Sequence, residues 1–303
     1  MKDEDPAPAY SRDSQVLQLS GRVSLDHLSP EWAWGGATGA GVRVAVVDSG
    51  IDAGHPALGD CIDVDKCVEL RDVDGTVEEI HGSHGDAYGH GTACAGIIHM
   101  LAPQASITSV RVLGAGLTGK AAVFLRGLAW AVEQGFDVIN LSLGTTRREW
   151  ALPFYEVCDE AYFRNSFVVT AANNIMRPSF PCMFGAVTSV ACNLSDDPLR
   201  FHYNPQPPTE FLARGIDVEI PWLDHGWISG TGNSYAAPHI AGFAALIRSK
   251  HPQLRPFQVK TVLWATAANV QDAPEIAGRL SRVLRPATHS SARATSALRR
   301  SGR

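Results

Sequence analysis

Three residues of the chain have the types and settings that nucleophilic catalysis needs. Ser234 stands in "SGTGNSYAAPHIAG" (229–242), among small residues at what reads as the turn into a helix. His90 sits between two glycines in "GHGTACAGII", which leave its ring accessible, and Asp48 ends the β-branched run of "VAVVDSGID". A serine attacks a carbonyl at neutral pH only when a base takes its proton and a third group orients that base. The order Asp, His, Ser supplies one candidate for each role. Taken singly, each has an ordinary reading: a turn aspartate, a loop histidine, an N-cap serine. Their joint occurrence, each inside an extended motif, favours chemistry. A nucleophile at a helix N-terminus also meets the positive end of the helix dipole and N–H groups suited to an oxyanion.

The elements that must position these residues are legible as alternating strands and helices. "VRVAVV" (42–47), "ITSVRVL" (107–113), "DVINLSL" (137–143), "FVVTAA" (167–172) and "VTSVA" (187–191) are near-continuous apolar runs. Such runs suit strands buried on both faces of a parallel sheet. Between them Cys94, Ile97, Ile98 and Leu101 form a helical stripe, as do Phe124, Leu128, Ala131 and Val132, and later Ile240, Phe243, Ala244 and Ile247. The pattern predicts a three-layer α/β/α domain with a mostly parallel central sheet. Asp48 then lies at the carboxyl edge of that sheet, where α/β enzymes place their chemistry. Pro238 is expected in the first turn of the Ser234 helix, where its missing N–H is tolerated. Residues 1–22 read as an N-terminal extension, 23–285 as one domain, and 286–303 as a basic, disordered tail. No internal repeat is visible.

Composition narrows the function classes. The 303 residues are 45% hydrophobic with a formal net charge of −5, which gives no sign of a nucleic-acid partner. No stretch approaches the roughly 20 apolar residues of a membrane span. The opening "MKDEDPAPAYSRDSQVLQLSG" has neither the basic nor the apolar region of a signal peptide. The six cysteines contain no CxxC pair, so reduced thiols and a cytoplasmic location are expected, although Cys61 and Cys67 are close enough for a small loop bridge. Residues 52–86 read as an enlarged loop with ten acids against Lys66 and Arg71, a formal net of −8. A solvated acidic loop is the plain expectation. Steering of basic peptides is the alternative. Calcium on the oxygens of "DVDKC" or "DVDG" is compatible but lacks EF-hand spacing, and His81 and His84 form only a weak metal pattern. No metal or other cofactor is expected to be required.

With these segments in view, the chain resembles the subtilisin-like serine proteases. "VAVVDSGID", "GHGTACAGII" and "GNSYAAPHIAG" resemble the family's segments around its aspartate, histidine and serine. "VRVLGAGLTG", "AVEQGFDVINLSLG" and "AALIRSKHPQLRPFQVKTVLWATA" extend the resemblance over about residues 24–270. It implies a serine endopeptidase in which Ser234 attacks, His90 relays the proton and Asp48 holds the imidazole. In "VVTAANNIM" it aligns Asn174 with the oxyanion-hole asparagine, with the Ser234 N–H as second donor. It implies a peptide or protein substrate lying as an added β-strand between Leu117, Thr118 and Gly119 and Ser142, Leu143 and Gly144. Ala171, Ala172 and Ser179 would complete the substrate site, with Ser179 at the floor of a neutral pocket for the residue before the cut.

Several departures from the family pattern carry expectations. Asn173 stands where the family has glycine, which would cost about 1 kcal/mol if φ there must be positive. It also leaves open a register in which Asn173 faces the oxyanion, though the spacing to "SFPCMFGAVTSVA" favours Asn174. Asn233 replaces the family's threonine, and its amide offers possible oxyanion support. Cys94 falls on an apolar stripe and reads as a buried structural thiol. The short "IIHMLAPQASI" lacks the loop of the family's tight calcium site, and there is no room before Asp48 for the usual propeptide. Restricted precursor or leader-peptide processing inside the cell is the favoured role. Broad intracellular degradation, or a non-catalytic peptide binder, are the alternatives.

Overall fold

In the computed structural model, residues 28–271 are described, with the exception of Met176. The extension 1–22 and the basic tail 286–303 lie outside the described residues. The strands are β1 (Arg43–Asp48), β2 (Val68–Val73), β3 (Thr76–His81), β4 (Ser106–Arg111), β5 (Val138–Leu141), β6 (Phe167–Ala171), β7 (Thr188–Asn193), β8 (His202–Tyr203), β9 (Phe211–Arg214), β10 (Val218–Pro221) and β11 (Trp227–Gly230). The helices are α1 (Pro30–Trp34), α2 (His90–Leu101), α3 (Ala121–Glu133), α4 (Ala151–Phe163), α5 (Asn233–Lys250), α6 (Pro256–Thr266) and α7 (Ala268–Gln271).

Among the described residues nine strands form one sheet in the order β3-β2-β4-β1-β5-β6-β7-β9-β8. Every pairing from β2 to β9 is parallel, and only the outermost pairs, β2 with β3 and β8 with β9, are antiparallel. The five apolar runs all became central strands. Side chains alternate between the faces of a strand, and the core divides accordingly. Val44, Val46, Val138 and Val169 face a layer with Ile98, Ile240, Phe243 and Leu263. Ala45, Val47, Ile139 and Val168 face the other, with Phe124, Leu128, Ala131 and Phe154. Helices α2, α5 and α6 therefore cover one face and α3 and α4 the other, which is the expected three-layer α/β/α arrangement.

The acidic segment 52–86 is not a solvated loop. It contains β2 and β3, a hairpin whose strands extend the sheet at its edge. Periodicity does not reveal them because an edge strand exposes one face, so "VELRDV" and "TVEEIH" read as charged. Four of the ten acids are also matched by cations. Glu69 pairs with Arg71 at 2.6 Å and Arg111 at 3.4 Å, Asp72 with Lys120 at 2.7 Å, and Asp63 with Lys66 at 2.7 Å. Arg126 pairs with both Glu79 and Glu133. Three of these cations lie outside the segment, so the formal charge of the segment overstates the local field. His81 and His84 do not converge on a shared ligand. His84 Nε2 lies 3.0 Å from Ser109 Oγ, and His81 lies 3.9 Å from Glu79.

Two helices of the same layer matter most for the site, because α2 begins with His90 and α5 carries Ser234 near its start. They cross at Gly242, where a Cβ would lie 2.8 Å from both Cβ and Cδ1 of Leu101. Leu101 is itself buried and its stem has no freedom to yield. Only glycine allows this approach. Gly242→Val is expected to destabilise the fold by about 1–3 kcal/mol through overpacking, measured as a lower urea midpoint at unchanged slope.

Candidate active site

Asp48 is the last residue of β1 and is fully buried. His90 Nδ1 lies 2.8 and 2.9 Å from its two carboxylate oxygens, so the ring donates Nδ1–H to the carboxylate. Oδ1 also accepts the Ser49 N–H at 2.8 Å. This contact sets the tautomer and leaves Nε2 as the acceptor nitrogen. Burial alone would favour the neutral ring, but the Asp48 carboxylate outweighs it and holds His90 well above the usual imidazole range. Cys94 lies behind the pair, its Sγ 3.9 Å from Asp48 Oδ2 and 4.0 Å from His90 Nδ1. Burial raises its pKa, so it stays a neutral thiol there. It is the buried structural thiol expected, but packed against the charged pair. Among the described residues, Asp48, His90 and Cys94 are the one cluster whose donor atoms converge closely enough to share an ion.

His90 opens α2 directly after Gly89, whose φ is +104°. A Cβ at Gly89 would also lie 2.7 Å from the Trp222 ring. Glycine is required there for both reasons.

Ser234 is the second residue of α5, so its N–H belongs to the first turn and has no acceptor within the helix. Pro238 is not in that first turn, as the sequence suggested, but a full turn beyond Ser234. Having no N–H, it leaves the Ser234 carbonyl without the partner that helix geometry would provide. Ser142 supplies one: its hydroxyl donates to Ser234 O at 2.9 Å and accepts from Asn140 Nδ2 at 3.1 Å. The Ser142 side chain is thus committed to the Ser234 backbone.

Asn174 follows β6, and its Oδ1 accepts the Asn233 N–H at 2.9 Å. This anchors one side of the amide and leaves Nδ2 directed past Gly232. A Cβ at Gly232 would lie 3.2 Å from Ser234 Oγ and 3.7 Å from Asn174 Nδ2. The open volume at Gly232 therefore adjoins both groups. The side chain of Asn173 turns away instead, accepting the Ile175 N–H at 2.8 Å. Its φ is not positive, so no backbone penalty attaches to it.

Asn233 corrects an expectation. Its Nδ2 donates to the carbonyls of Ala172 and Asn173 at 3.2 and 3.3 Å, and its Oδ1 accepts the Cys192 N–H at 2.9 Å. Both ends of the amide are consumed in tying α5 to the ends of β6 and β7, so it is not available to an oxyanion. A side chain's partners depend on where β6 and β7 end in space, and no local pattern reveals that.

The remaining candidates gather around two adjoining cavities. One of about 190 Å³ is lined by His90, Ser234, Asn174, Ala171, Ala172 and the buried Ser179, among others. Ser179 Oγ lies 3.5 Å from Cys182 Sγ. The second, about 680 Å³, takes in Thr118, Gly119, Phe124 and Trp150. Leu117, Ser142, Leu143 and Gly144 border both. Leu117 holds a φ of +51°, unusual for a branched residue, inside a tight loop closed by Gly114 N–H to Thr118 O at 3.1 Å. Sequence reasoning did not single out Gly232 or Asn140, although the two glycines flanking Thr231 were a signal that space is kept open beside the nucleophile.

The arrangement can relay a proton from a serine to a carboxylate-backed imidazole, beside two N–H donors. Gly232→Ala is expected to fold normally, because φ of 169° suits any residue. Its methyl group would crowd the space between Ser234 Oγ and Asn174 Nδ2. A fall of about 10²-fold in kcat/KM on peptide or ester substrates, with an unchanged Tm, is the result to look for.

Comparison with known proteins agrees with this geometry. The model of the subtilase family matches residues 39–283. Subtilisin DY of Bacillus licheniformis is 32% identical over 254 residues, covering 78% of this chain and 88% of that protein. Subtilisin E of Bacillus subtilis (strain 168) is 32% identical over 298 residues, covering 88% and 74%. Among solved structures, the S41 psychrophilic protease superposes with a TM-score of 0.64 at 25% identity, over 75% of this chain and 82% of that one. A cold-adapted subtilisin-like serine proteinase gives 0.61 at 24% identity, over 78% and 87%, a likeness of fold. The chain belongs to the subtilase family and is a subtilisin-like serine endopeptidase.

Proposed function

We propose that Ser234, His90, Asp48 and Asn174 carry out the hydrolysis. The observation that supports this most is the buried Nδ1–H bond from His90 to Asp48, beside a cavity that Ser234 and Asn174 share. Ser234 Oγ attacks the scissile carbonyl while His90 Nε2 takes its proton. The negative oxygen that forms is met by Asn174 Nδ2 and the Ser234 N–H. His90 then returns the proton to the leaving amine, an acyl-enzyme remains, and water repeats the sequence in reverse roles. These steps use side chains and backbone of the chain alone. The substrate lies as an added strand between residues 117–119 and 142–144, held by main-chain hydrogen bonds.

The cavities support restricted specificity. Apart from the catalytic His90 the smaller has no ionisable residue in its lining, which suits a small or medium neutral side chain before the cut. The larger offers Leu113, Phe124 and Trp150 to a bulky apolar side chain further upstream. A substrate must satisfy both, which fits a processing protease better than a degradative one. All six cysteines are free, and Cys94 is held as a thiol beside the triad, which fits a reducing, intracellular setting. Among the described residues no helix is long and apolar enough to cross a membrane.

Labelling of Ser234 by a fluorophosphonate, lost in Ser234→Ala, tests the nucleophile. Ser234→Ala should lower kcat by about a million-fold, a figure taken from subtilisin itself. Asn174→Ala should cost about 10²–10³-fold in kcat, likewise the subtilisin magnitude. A cleavage profile on a peptide library tests specificity, and rapid cutting at many unrelated sites would refute the processing role.

The raised His90 pKa sets a pH dependence. Only the neutral ring accepts the serine proton, so kcat/KM should rise as pH rises through a value above the ordinary imidazole pKa of about 6.5. The contribution to stability has the opposite sense. It is present in full below the unfolded value of about 6.5 and is lost as pH rises through the raised folded value. Asp48→Asn should shift the acid limb of kcat/KM to lower pH while depressing activity throughout, as a pH–rate profile will show.

A further inference from the structure

We propose that Asp86 is a positioning residue for His90, fixing it relative to Asp48. Its carboxylate accepts five hydrogen bonds. Oδ1 takes the Ser49 hydroxyl at 2.8 Å, the Tyr88 N–H at 3.0 Å and the Gly89 N–H at 2.8 Å. Oδ2 takes the Thr92 N–H at 2.8 Å and the Thr92 hydroxyl at 2.6 Å. The donors belong to two separate pieces of chain. Tyr88, Gly89 and Thr92 surround His90 at the start of α2. Ser49 follows Asp48 directly, and its own N–H is bonded to Asp48 Oδ1.

Ser49 closes the link. While its hydroxyl donates to Asp86, the same oxygen accepts the Gly91 N–H at 3.1 Å, and its carbonyl accepts the Ala87 N–H at 2.9 Å. Thr92 does the same on the other side, since its hydroxyl oxygen accepts the Asp52 N–H at 2.9 Å. Apart from the Asp48–His90 contact and the long Cys94 Sγ contacts to both, the hydrogen bonds from the Asp48 strand end to the His90 turn thus pass through Asp86 or its partners Ser49 and Thr92. A carboxylate is suited to this position because it only accepts, and all five groups around it, from four residues, donate. An amide of the same shape would set its N–H₂ against the Thr92 N–H in one orientation or those of Tyr88 and Gly89 in the other. Its place near the positive end of α2 adds to the preference for a negative charge. The consequence reaches past stability. A histidine that must move a proton between Ser234 and a leaving group works only in a narrow geometry, and small displacements lower turnover more than binding.

The inference rests on His90 as the general base, and the test separates the two. Asp86→Asn, His90→Ala and the double variant are compared in steady-state kinetics, with circular dichroism and Tm confirming that each is folded at the assay temperature. Asp86→Asn is expected to lower kcat by about 10–100-fold with KM within about threefold. In the His90→Ala background the same substitution should change residual turnover by less than about twofold, because no base remains to be positioned. An equal loss in both backgrounds, a loss carried mainly by KM, or an Asp86→Asn kcat within about twofold of wild type would overturn the proposal. Wild-type turnover in His90→Ala would instead overturn the base assignment, and this inference with it. If Asp86→Asn does not fold, Ser49→Ala removes only the hydroxyl link between Asp86 and Gly91. A fall in its kcat at constant KM supports the proposal, and an unchanged kcat overturns it.

Discussion

Asp48 is removed from water altogether, so its charge is tolerable only while His90 and the Ser49 N–H satisfy it. A buried carboxylate without partners costs several kcal/mol, and removing one member of such a pair leaves the other uncompensated. The fold therefore has to deliver the imidazole to the end of β1 regardless of whether a substrate is present. It does so through a glycine-bounded turn, a Trp222 ring over Gly89, and the hydrogen-bonded frame around Asp86. The electrostatics that orient the base and the packing that stabilises this end of the sheet are the same contacts.

Ser234 is held by a different device. Its position on α5 is set by the close crossing of α2 and α5 at Gly242, which brings two helix starts to the same edge of the sheet. Its carbonyl is released from the helix by Pro238 and recaptured by Ser142 from the end of β5. Asn233, one residue earlier, ties the same helix to β6 and β7. The serine hydroxyl is thus the part of this residue left without a structural task, and the neighbouring glycine keeps the space beside it open.

Much of this was legible beforehand, for physical reasons that differ between residues. The central strands were visible because both faces of a parallel sheet are buried, which forces continuous apolar runs. Asp48, His90 and Ser234 were visible because glycines and small residues around each mark turns that crowd no side chain. The edge hairpin β2–β3 was not visible, since a strand exposed on one face and rich in ion pairs has the composition of a loop. Asn233 was misread because an amide can donate to an oxyanion or to a carbonyl, and its type does not say which lies nearby.

The sequence by itself determined the identity of the reactive groups, their order, and the strand ends and helix starts on which they sit. These follow from local periodicity and turn chemistry, which act over a few residues. Only the tertiary structure decided which polar groups are free and which are spent. Ser142, Asn233 and Asp86 all carry atoms that suit a substrate site or a charged surface, yet the first two are consumed by backbone from distant segments and the third by the start of α2 together with the distant Ser49 hydroxyl. Hydrogen-bond partners are exclusive and depend on three-dimensional proximity, so they are settled only when the sheet and both helices are in place.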